Sequence, residues 1–83
     1  MDAATLELAA TRAALDSLHG TLAIARALVL AGREVDLAGL DGDAGRLCAA
    51  IACLPPGSAA AFRLPLLELT AELDGLRAAL EAA

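Results

Sequence analysis

The sequence predicts an all-α fold, a small three-helix up-down-up bundle, and three observations carry that expectation. Of its 83 residues 23 are Ala and 18 are Leu, two of the strongest helix formers. The β-branched residues never form a run that could build a strand. Apolar residues recur at alternating three- and four-residue spacing in three separate segments, which is the period of one helix face. A chain this short makes one domain, 1–83, and buries only about 60 to 65% of the surface its unfolded form exposes. Its stability therefore depends on close helix packing or on area supplied by a partner.

The first helix is expected over about residues 3–31. Leu8, Leu15, Leu18, Leu22, Ala25 and Val29 fall on one seam, with Thr11 at its single polar position. Asp2 is a suitable N-cap and Gly32 a suitable stop. Gly20 followed by Thr21 is the weak point, because a mid-helix Gly costs about 1 kcal/mol relative to Ala and Thr21 could cap a new helix. The seam passes through Gly20 in phase, which favours one continuous rod.

Residues 32–40 have no sustained period and read as a connector lying against the bundle, with a turn begun by Asp36. The second helix is expected over about 42–54, capped by Asp41, with Asp43 in the first turn where a carboxylate favours the positive end of the helix dipole. Leu40, Ala44, Leu47, Ile51 and Leu54 form its seam, and Pro55 ends it because proline supplies no N–H. Pro55-Pro56-Gly57 is a tight turn, and Ser58 is a suitable N-cap for a third helix over about 59–82. Phe62, Leu66, Leu69, Leu73, Leu76, Leu80 and Ala83 make the strongest seam in the chain. Pro65 lies inside it, so the helix either kinks there or follows a separate short turn and restarts near Pro65.

At 1.5 Å per residue the three helices would measure about 45, 20 and 35 Å. The second cannot cover the other two, so a strip of leucine is left over, widened by Ile24, Leu28, Leu30, Leu64 and Leu67. Apolar surface of that size is seldom left to water. The sequence therefore points to a non-enzymatic protein–protein interaction module, a homodimeric adaptor whose Leu66, Leu69, Leu73, Leu76 and Leu80 pack on Leu15, Leu18, Leu22 and Leu28.

Other functions meet obstacles in the composition. Six arginines, evenly spread, face eleven acids for a net charge of −5, a field that repels nucleic acid. Arg without Lys, among so much Ala, Gly and Leu, has the look of coding from a GC-rich genome. Gly20–Gly32 is shorter than the roughly 20 apolar residues a membrane span needs, and Arg26 sits in its middle. Met1-Asp2 with Glu7 lacks the basic start of an export signal, so a reducing cytoplasm is expected.

Cys48 and Cys53 are five residues apart, about 140° around a helix, too far to bridge each other. Cys48 is expected as a small buried hydrophobe and Cys53 as a boundary residue, open to an intermolecular disulfide. Two thiols and His19 fit no zinc pattern, so no metal and no cofactor are expected. His19 is expected to pair with Asp16 on its own helix, the alternative being a pH-sensitive contact at an interface. Ser17 and His19 point some 160° apart and cannot act as nucleophile and base. Glu68, Glu72, Asp74 and Glu81 around Arg77 read as a solvated face. In length and heptad habit the chain resembles the small helical export chaperones of bacterial flagellar and secretion systems, which hold a partner's helix in a groove. That resemblance implies a groove and a helical client. An antitoxin or transcription-regulator role is the remaining alternative, opposed by the charge and by a second helix whose Gly42, Gly45 and alanines cannot read bases.

Overall fold

The computed structural model describes residues 2–82. Three α-helices follow in order: α1 (Ala3–Leu30), α2 (Leu40–Ala52) and α3 (Arg63–Ala82), with a 3₁₀ turn (Ser58–Phe62) leading into the last. No strand occurs among the described residues. The molecule measures 45 × 21 × 17 Å, so its long dimension is α1 itself. The expected bundle is present. α1 and α3 run parallel, α2 antiparallel to both, and α1 packs on each of the others.

α1 is one unbroken helix through Gly20. The carboxylate of Asp2 accepts the Thr5 N–H at 2.7 Å and caps its first turn. At the other end Gly32 takes a left-handed φ of 78°. Its N–H donates to the Val29 carbonyl while Arg33 N–H reaches back to Leu28 at 2.9 Å, a Schellman stop that a residue with a Cβ would strain. The connector then bends through an Asx turn, with Asp36 accepting the Ala38 N–H, and presses Val35 and Leu37 against the core.

α2 begins two residues before the expected bound at 42, at the first residue of its seam, and ends two residues before the expected 54. Asp41 is not its cap. Gly39, at φ 96°, holds that place without a side-chain bond, and Asp41 and Asp43 both sit in the first turn. A left-handed glycine turns the chain sharply enough to start the helix at Leu40, so the carboxylates act on the helix dipole without capping it, and Asp43 also pairs with Arg46. After Cys53, the Ser58 N–H donates to Pro55 at 3.1 Å, and Gly57 at φ 87° closes a turn of the type that requires a positive φ. Ser58 makes no capping bond. It opens the 3₁₀ turn instead. Pro65 then falls in the first turn of α3, where its missing N–H has no intrahelical acceptor to lose, so the separate-turn alternative describes the entry.

The core is built around α1. Leu15, Leu18, Leu22, Ala25 and Val29 meet Leu47 of α2, Phe62 of the 3₁₀ turn, and Leu76 and Ala79 of α3. Thr11, the polar seam position, is buried with them. The first seam is thus realised as expected, but the third is rotated. The buried and half-buried positions of α3 centre on Glu72, Leu76 and Ala79, about 50° around the helix from the leucine seam. Gly75 and Ala79 let α3 lie close to α1, whereas Leu73 and Leu80 turn out to its flank. Ala83, the last seam position, lies outside the described residues.

Two consequences are measurable. Leu15, 1% exposed, should cost about 2–5 kcal/mol when cut to Ala, while Leu73→Ala, at a site 45% exposed, should cost under about 1 kcal/mol. Urea unfolding of both variants checks the rotation, and equal losses would contradict it. The Thr5 bond holds the Asp2 carboxyl below its usual value near 3.8. A depressed folded value means this stabilisation is complete above that pH and is lost as the pH falls through the lowered one. Asp2→Asn should keep the cap yet remove that part of the acid fraying of α1, read by circular dichroism.

Candidate functional site

Because α2 and α3 both lean on α1 and barely on each other, a trough opens between them. Leu18 and Leu22 form its floor. Leu40, Ala44, Leu47 and Ile51 line the α2 wall, and Leu66, Leu69 and Leu73 the α3 wall, around about 330 Å³. Asp41 is the one charged residue among its lining, at the rim beside Cys48. The trough is a consequence of lengths and of the rotated third seam: α2 spans 13 residues against 20 for α3, and Leu73 turns away from α1 toward empty space. Chemically, a trough with so little polar lining can hold apolar side chains. Asp41 and the Cys48 thiol are the polar groups in its lining.

The leucines expected at an interface separate into three kinds. Leu15, Leu18, Leu22 and Leu76 are core residues, already covered within one chain. Leu66 and Leu69 are half-buried in the trough wall. Leu28, Leu73 and Leu80 are exposed. Helices one and three do pack on each other, and they do so intramolecularly. The exposed Ile24, Leu30, Leu64 and Leu67 match the expected surplus, and Leu6 joins them. A helical wheel of α1 drawn for charge, as well as for its seam, would have found Leu6: it stands opposite the core in a sector without charge.

The polar residues form one interhelical cluster. Glu72 is not on a solvated face but points at α1, its side chain 16% exposed, with Oε1 3.4 Å from Arg26 and Oε2 3.8 Å from His19 Nε2. His19 therefore faces α3. Asp16 pairs with Arg12 at 3.3 Å instead. The Arg26 side chain crosses α3 over Gly75, where an added Cβ would come within 2.6 Å of its Nη1. Arg77 pairs with Asp74 at 3.6 Å, and Arg46 with Asp43 within α2. These are structural pins between and along helices, each worth up to about 1 kcal/mol at such exposure.

Cys48 is exposed, not buried, as is Cys53, and both are free thiols. Cys48 lines the trough, where α3 does not close over α2. Among the described residues no three His, Cys, Asp or Glu side chains gather closely enough to hold a metal ion. α1 is long and apolar enough, by length and composition alone, to cross a membrane, a test that the core helix of a soluble protein and a signal sequence also pass.

Comparison of the chain with protein-family models, with curated proteins and with solved structures gives no match. The site is accordingly read from its own geometry.

Both thiols should react with Ellman's reagent in the folded protein at comparable rates, as exposure dictates. Release of one equivalent before unfolding, and the second only after it, would show that Cys48 is covered.

Proposed function

We propose that this chain is a non-enzymatic helical protein–protein interaction module that associates with itself. The observation that carries the reading is surface area. A compact monomer of 8.3 kDa should expose about 4,600 Å² by the scaling for folded monomers, and this chain exposes 5508 Å². The surplus is about 900 Å², close to the roughly 800 Å² that each partner buries in a standard interface. The radius of gyration, 14.3 Å, likewise exceeds the roughly 12 Å expected for a compact chain of this length. Leu6, Ile24, Leu28, Leu30, Leu64, Leu67, Leu73 and Leu80 are exposed, and removing such apolar surface from water favours association at about 25 cal/mol per Å² before the costs of binding.

The trough favours a second reading within the same class. Its depth, its leucine walls and its 13-residue α2 rim suit the apolar stripe of an amphipathic helix, read at helical spacing as in other helix-in-groove complexes. This is the client site that the resemblance to export chaperones implies. Both surfaces can serve one adaptor, one for its copy and one for its client. A DNA-contacting antitoxin reading gains nothing, since the exposed part of α2 is Ala, Gly, Asp41, Cys48 and an Arg46 already paired with Asp43.

Light scattering at micromolar concentration should return twice the 8.3 kDa chain mass. A monomer of full helicity at that concentration would refute self-association.

A further inference from the structure

We propose that the outward face of α1 is the self-association surface, and that two copies pair through it antiparallel about a twofold axis near residue 15. The inference rests on the self-association reading and names the surface that performs it.

Its first support is the distribution of charge. Within α1 the charged or titratable residues are Glu7, Arg12, Asp16, His19 and Arg26. At 100° per residue Glu7, His19 and Arg26 lie on the core side or on the flank toward α3, and Arg12 and Asp16, paired with each other at 3.3 Å, mark the outer edge of that flank. The opposite sector, about 140° wide, carries Leu6, Ala10, Ala13, Ser17, Gly20, Ile24 and their neighbours without one charge along the whole 28-residue helix. Even Thr21 is internally satisfied, its hydroxyl donating to the Ser17 carbonyl at 3.0 Å. Leu6 is 54% and Ile24 64% exposed. Surface helices keep charge on their outer face; this one is apolar outside as well as inside.

The second support is register. Leu6, Ala10, Ala13, Ser17, Gly20 and Ile24 follow a 4-3-4-3-4 spacing, and the series reads large, small, small, small, small, large. Turned end for end, it matches itself. Leu6 meets the partner's Ile24, Ala10 the partner's Gly20, and Ala13 the partner's Ser17. An isologous contact demands that kind of self-complementarity. Small central residues allow close axes, and large terminal ones close the seam at both ends. The trough lacks this property: two concave surfaces cannot fill each other. The charges that border the face from the connector and α2 are Asp36 and Asp43, beside Ile24, and Arg46, beside Ser17; Arg46 and Asp43 pair with each other.

The third support is area, since the surplus calculated for the monomer is that of one standard interface. A lipid surface is the competing occupant. It is disfavoured because α1 carries only Arg12 and Arg26 on its polar side and the chain is net negative, whereas interfacial helices present a basic polar face.

The test is a charge-exchange series in the full chain, with mass read by light scattering and helicity by circular dichroism. Wild type should be a dimer, Ile24→Glu and Leu6→Glu folded monomers, and Leu73→Glu, in the trough wall, still a dimer. Leu6→Lys combined with Ile24→Glu should restore the dimer, because in this register each new cation meets the partner's new anion at both ends. Ala13→Arg, also exposed, gives a second way to block the face should Ile24→Glu lose helicity. A dimer that survives Ile24→Glu and Ala13→Arg but is lost in Leu73→Glu would overturn the α1 face and leave self-association standing. Failure of the double variant to restore the dimer would overturn the antiparallel register. A wild-type monomer would overturn both readings, and a monomer that co-sediments with phosphatidylcholine vesicles would assign the face to lipid.

Discussion

Everything in this fold depends on one apolar seam, the line from Thr11 to Val29 along α1. It is the only seam that both other helices share, and it supplies most of the buried side chains. α2 and α3 are each held by it and hardly by one another. In a bundle of equal helices each would cover two neighbours and little apolar surface would remain. Here the central helix is long, one neighbour is short, and the third meets the shared seam only by turning away from the second.

That turn explains the polar contacts as well as the trough. Rotating α3 toward α1 carries Glu72 out of solvent and into reach of Arg26 and His19, with the Arg26 side chain lying over Gly75. The same rotation takes Leu73 and Leu80 out of the core. Ion pairs at this exposure contribute little, so packing of Leu76 and Ala79 on α1, not the charges, sets the angle. The cluster follows from the packing. What is left on the other side of α3 is an apolar wall facing α2 across open space.

The chain ends up with two apolar surfaces of different shape. The trough is concave and suits an inserted helix. The outward face of α1 is convex, uncharged and self-complementary, so it suits a second copy. A protein that both self-associates and holds a helical client would need two such surfaces, and their separation on opposite sides of α1 allows both to be occupied together.

The helices, their number and the seam of α1 were legible in the sequence, because Ala and Leu at helical spacing leave few alternatives and because Asp2, Gly32 and the Pro55-Pro56-Gly57 turn punctuate the chain locally. So was the surplus of leucine, which follows from lengths alone. The start of α2 at Gly39, the exposure of Cys48 and the inward position of Glu72 were not legible. Caps depend on backbone φ, which Gly39 and Asp41 could each have supplied. Which flank of a leucine-rich helix is buried depends on where its neighbours stop, and a periodic seam reports a face without reporting what lies opposite. The sequence determined that α1 is amphipathic on one side and uncharged on the other; only the tertiary structure decided that α2 and α3 would both settle on the first side and leave the second open, because one seam can be shared by two helices but a second seam needs a partner to cover it.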